Sequence, residues 1–140
     1  MNDILLLSAA TRTTAGILLL TIVAVESGGW FMLRVLSGKQ PATPFQKAFF
    51  RAGHAHAGVL VILSLVAQIY ADASTMTDLP AVLARSAIPL AAILMPAGFF
   101  FAAMGRDAAK PNRFIALVYA GAASLALGVI SLGVGLLTGA

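Results

Sequence analysis

The chain has 140 residues, of which 60% are hydrophobic and 10% charged, and its mean hydropathy is +0.96, far above that of a soluble domain. Those figures exclude an ordinary water-soluble enzyme and point to a lipid bilayer as the solvent. The net charge of +4 comes from nine Lys and Arg residues that gather at the ends of apolar stretches, where they meet lipid headgroups, so no nucleic-acid partner is expected. With no cysteine, disulfides and thiolate metal sites are excluded.

Four apolar stretches, at about 13–36, 45–70, 79–104 and 111–138, each reach the ~20 residues that a helix needs to cross hydrocarbon. Backbone groups in lipid must bond within their own segment, and no alternating pattern suggests a closed barrel, so helices are expected throughout. Before the first span, Arg12 interrupts the apolar pattern and no cleavage motif is visible, which speaks against a removable leader. After it, SGKQPATP offers Thr43 as an N-cap with Pro44 at the first helical position. The acidic connection ADASTMTDLP offers Asp78 as the cap of the third span, and GRDAAKPNR puts Pro111 just inside the fourth. Arg34, Lys39, Lys47 and Arg51 surround the first connection, and Arg106, Lys110 and Arg113 the third. The positive-inside rule therefore predicts that the loops near 38–44 and 105–112 are cytoplasmic and that both termini lie outside. The expected fold is all-α, a single polytopic four-helix transmembrane bundle over residues 1–140 in the cell membrane.

Polar residues inside the spans are few. Glu26, the only glutamate, lies eight residues from Arg34; His54 and His56, the only histidines, lie seven and nine residues from Lys47. These three share one depth in the inner half of the bilayer, with Tyr119, six residues from Arg113, close to it. Pro96 releases the carbonyl of Ala92 near that level, and Pro89 with Pro96 is expected to kink the third helix. An isolated ionisable group at this depth costs at least ~2.5 to 3.5 kcal/mol unless paired, so Glu26 calls for a partner. Gly28 and Gly29 beside it, and Gly53 and Gly58 beside the histidines, would let two helices approach closely. A structural contact from Glu26 to His54 is the simplest reading. A metal or cofactor site with Glu26, His54 and His56 as candidate ligands is the second, although residues i and i+2 point about 200° apart on a helix. A proton or cation relay is the third.

The last span carries Gly121, Ser124, Gly128, Ser131, Gly135 and Thr138 at spacings of 3, 4, 3, 4 and 3, a seam of small residues suited to close helix packing, with Leu132 off the seam. The spacing leaves open whether the neighbour is in the same chain. Phe99, Phe100, Phe101, Met95 and Met104 read as lipid-facing or core residues, with a lipid or quinone groove as the alternative. Trp30, Phe49 and Phe50 fit an interfacial belt. Along a path leading outward from the cluster, only Thr21, Ser64 and Gln68 are expected to offer polar groups, a thin route for a transported ion.

The segment FQKAFFRAGHAHAGVLVILSLVAQ, preceded by VESGGWFMLR, resembles a group of small four-helix bacterial integral membrane proteins to which no chemistry is assigned. A looser similarity links GHAH to the GH-x-H segments of haem-copper oxidase relatives, without the further histidines that a haem and copper centre requires. Small multidrug-resistance transporters share four short helices and a membrane glutamate in the first.

No phosphate loop, serine nucleophile with its base, or pair of acids is present, so no catalytic activity of its own is expected. The residues point to a small accessory or structural subunit of a larger membrane complex, such as an oxidoreductase or respiratory assembly, with other membrane subunits, or itself, as partners. The alternatives are a homo-oligomeric proton- or cation-coupled transporter and a metal- or haem-binding membrane protein. No cofactor is required by the sequence, and bound lipid is expected.

Overall fold

The computed structural model describes residues 7–139, all-helical in their regular structure: α1 (Ala9–Leu36), α2 (Pro44–Ala73), α3 (Asp78–Ala102) and α4 (Ile115–Thr138). All four helices are long and apolar enough to cross a membrane. The leader expectation falls partly on residues 1–6, outside the described residues.

Local chemistry sets the boundaries, and in three places it moves them from the expected spans. α1 begins at Ala9 rather than near residue 13, because the Ser8 hydroxyl accepts the Thr11 N–H at 3.1 Å and caps a turn that the polar run TRTT obscures. α2 starts with a capping box: Thr43 Oγ1 accepts the Gln46 N–H, Gln46 Oε1 accepts the Thr43 N–H, and Pro44 takes the first helical position. For α3 the N-cap is Thr77, not Asp78, whose backbone is left-handed with φ 56°. α4 begins at Ile115, so Pro111 lies in the connection and not inside the helix. Asn112 explains the shift. Its Oδ1 accepts the Phe114 N–H at 2.9 Å, and its Nδ2 donates to the Phe101 carbonyl at 2.9 Å, which folds residues 112–114 back onto the end of α3.

The helices pack in chain order: α1 on α2, α2 on α3, and α3 most extensively on α4, which also touches α2. The broad packing of α1 is on α2 alone, so the bundle is open on the side of its first helix. The α3–α4 interface is built on the small-residue seam. A methyl group added at Gly121 would stand 2.5 Å from the Met95 side chain, and one at Gly128 would stand 2.7 Å from Ile88. Seven residues forward on α4 thus match seven back on α3, an antiparallel register held by backbone proximity. Ser124 Oγ donates to the Ala87 carbonyl at 2.8 Å and Ser131 Oγ to the Pro80 carbonyl at 3.3 Å, while Gly135 packs on Met76. Leu132, expected to lie clear of this seam, is 8% exposed and belongs to the core with Ala67, Ala71, Ala84 and Ile88. The free neighbouring position is Gly133, which has nothing within 4 Å of an added methyl.

A second core at the opposite end joins Met32 and Val35 of α1 to Phe50 and Ala103, flanked by Phe31 and Phe100. There Gln46 Nε2 donates to the carbonyls of Ala103 and Gly105 at 3.0 and 2.9 Å, tying the first connection to the third.

Candidate functional site

The residues placed at one depth by counting point in different directions. Glu26 is exposed on α1, and among the described residues no hydrogen bond or ion pair joins it to either histidine. It lies in a row with Leu19, Val23, Trp30 and Leu33, all exposed, at spacings of 4, 3, 4 and 3. That row faces away from α2. Tyr119 stands 69% exposed on the outside of α4, apart from the other three.

His54 and His56 diverge as their two-residue separation on a helix requires. His54 lies against α1, its Nδ1 and Cε1 within 3.4 and 3.3 Å of the positions that methyl groups on Gly28 and Gly29 would take. Those two glycines admit the imidazole. Gly53 receives Phe99 and Phe100 of α3 rather than α1, and Gly58 has no neighbour within 4 Å, so the strip for α1 does not run through it. His56 turns toward Phe99, with ring centroids 5.0 Å apart, and its Nδ1 lies 2.7 Å from the Ala52 carbonyl. A carbonyl can only accept, so Nδ1 carries the proton there and Nε2 of the neutral ring is left as an acceptor. Among the described residues no group of three or more His, Cys, Asp or Glu side chains gathers to hold a metal.

His54 lines a cleft of about 340 Å³ between α1 and α3, with α2 as its floor. The cleft exists because α1 is fastened to the rest at its two ends and stands off α3 between them. Where the helices face each other their side chains are small: Ala24 and Gly28 on α1, Ala57 on α2, and Ala92 on α3. Pro89 and Pro96, seven residues apart, present one face of α3 to the cleft, while Ile88 and Met95 turn to α4. The walls are otherwise aliphatic, with Phe100 at the His54 end and Thr14 at the other.

The fastening at the far end from His54 escaped the sequence analysis. Asp72, in the last turn of α2, accepts from the Ser8 N–H at 2.8 Å, from the Ser8 hydroxyl at 2.9 Å and from Arg85 of α3 at 2.7 Å. Arg85 also donates to Thr11 Oγ1 at 3.1 Å and to the Ala71 carbonyl at 3.0 Å. Three helices meet in this knot, and Thr11 is buried within it. The available signal was a lone arginine inside an apolar span opposite an aspartate at a helix end, a pair that charge counting by loop assigns to topology. Gln68 adds to it: Pro89 has no N–H to give the Arg85 carbonyl, and Gln68 Nε2 donates to that oxygen at 2.7 Å.

No family model matches the chain, and no curated protein or solved structure matches it significantly. The class defined by fold and site is that of an all-helical protein with four candidate membrane spans, which suggest a multi-pass membrane protein.

Proposed function

We propose that this chain is a small, non-catalytic subunit of a larger membrane assembly, with the loops at 38–44 and 105–112 in the cytoplasm and both termini outside. The observation that carries the reading is Glu26, exposed in the middle of an apolar row on α1, the least packed of the four helices. At 1.5 Å per residue it lies about 12 Å along the axis from Arg34, well inside the hydrocarbon that α1 would cross. A carboxylate facing lipid there carries a cost of ~2.5 to 3.5 kcal/mol. A basic group on a partner's membrane helix removes that cost, and the 4, 3, 4, 3 spacing of Leu19, Val23, Glu26, Trp30 and Leu33 is that of a helix-packing seam. Membrane oxidoreductase and respiratory complexes are assemblies in which such small subunits occur.

The transporter reading has less support, because the outer polar groups are already engaged. Thr21 donates to the Leu18 carbonyl, Ser64 to Leu60 and Gln68 to Arg85, so among the described residues these three hydroxyl and amide groups are already engaged within the bundle. A two-histidine metal or haem site is disfavoured by the divergence of His54 and His56.

A photo-crosslinking residue at Val23 or Leu33, compared with one at Ile62 on the exposed face of α2, tests the proposal in native membranes. The expected result is one stoichiometric membrane partner crosslinked from α1 only and lost with Glu26→Leu, but retained with Glu26→Gln. Crosslinks to copies of the same chain alone, with ion uptake by the purified protein in liposomes, would replace this reading by the transporter.

A further inference from the structure

We infer that the cleft between α1 and α3 is a binding site for a lipid-soluble quinone, its ring held at the His54 end and its tail running along α1. The inference rests on the chain being membrane-embedded and is otherwise separate from the assembly reading, since it concerns the opposite face of α1 from Glu26.

Four features of the cleft define the ligand. Its lining on α1 extends from Thr14 to Gly28, about 21 Å of helix, so the occupant is elongated. Its volume of about 340 Å³ lies at the small end of small-molecule sites, enough for a ring and the first part of a tail that leaves through the open side into lipid. Its lining toward His54 is of small residues, Ala24, Gly28, Ala57 and Ala92, beside Phe100, a slot that suits a flat head. The fourth feature is polar. The His54 ring has no hydrogen-bond partner among the described residues, and Pro96 withholds the N–H that would otherwise serve the Ala92 carbonyl.

A lipid acyl chain fills such a cleft but leaves the imidazole unbonded in an apolar wall, which is costly. A fatty-acid carboxylate brings a charge to this depth with no cation in the lining other than a protonated His54. A quinone is neutral, flat and carries carbonyl acceptors. An imidazole N–H of His54 donates to one of them, and in the reduced form a ring hydroxyl donates to the Ala92 carbonyl. The inference is one of binding, with no electron transfer assigned to this chain.

The test uses the full-length protein in detergent, titrated with a benzoquinone carrying a decyl tail, with decanoate and a short-chain phosphatidylcholine as competing arms. The expected result is saturable binding of one quinone per chain, weakened about tenfold or more by His54→Leu and by Ala57→Phe, which fills the slot. His54→Gln, which keeps a donor, retains most of the affinity, and Gly133→Ala, outside the cleft, leaves it unchanged. Helix content and elution of each variant are compared with wild type, and Gly133→Ala with His54→Gln serve as the folded references. Binding unaffected by both His54→Leu and Ala57→Phe overturns the inference. So does tighter binding of decanoate or equal competition by the phospholipid, which would make the cleft a site for lipid.

Discussion

Gln68 illustrates how a single side chain repairs a fault that another creates. Pro89 cannot supply the Arg85 carbonyl with its helical donor, and Gln68, 2% exposed on the neighbouring helix, supplies one instead. Gln68→Leu is therefore expected to destabilise the fold by about 1–3 kcal/mol, since it strands a buried acceptor. Pro89→Ala in the same chain restores the backbone donor and is expected to recover most of that loss. Unfolding in mixed micelles, run as a double-mutant cycle, checks the coupling; additive effects would show that the two residues act independently. The sequence displayed both residues but not their relation, because seventeen positions separate the glutamine from its acceptor and only the helix register brings them together. Glu26 shows the converse. Its depth could be counted from Arg34, whereas its direction depends on which face α1 turns to α2, and no count along the chain supplies that.

Among the elements, the pairing of α3 with α4 rests on glycines rather than on large side chains. Gly128→Leu and Gly121→Leu would drive a branched side chain into Ile88 or Met95 and the backbone behind them, and each is expected to cost about 1–3 kcal/mol or more. Gly133→Leu, with nothing within 4 Å of its added Cβ, should be tolerated. Thermal unfolding of the three variants provides the comparison; equal loss in all of them would point to glycine's backbone rather than to its lack of bulk. The periodicity of the seam could be read directly from residue spacing, because close packing demands small residues at a fixed interval. Its partner could not, since the same interval suits a helix of this chain or of another. Helix limits were legible where a single cap decides them, as at Thr43 and Pro44, and not where a tertiary contact does, as at Ser8 with Asp72 or Asn112 with Phe101.

At the scale of the whole molecule, α1 packs along α2 but is tied to α3 only near its two ends. Met32 and Val35 pack into the aromatic core at one end, and Ser8 and Thr11 join Asp72 and Arg85 at the other. Arg85→Met is expected to free that second end while leaving the α2–α4 packing folded. A cysteine introduced at Ala24 in the otherwise cysteine-free chain reports the change as faster thiol labelling in the Arg85→Met background. Unchanged labelling would mean that Met32 and Val35 alone fix the helix. The same background serves for sidedness: a cysteine at Lys39 is expected to resist an impermeant reagent in intact cells, and labelling there from outside would reverse the proposed topology.

The knot at the Asp72 end also bears on how the chain comes together during synthesis. Ser8 binds an aspartate 64 residues later, and Thr11 an arginine 74 residues later, so α1 cannot complete its docking until the first turns of α3 have been made. Until then α1 has only α2 to lean on, and its carboxylate row is open to whatever else occupies the membrane nearby. α1 therefore waits on residues made well after it, and in the assembly proposed above that interval lets a partner chain reach its exposed face before its own bundle has finished positioning it.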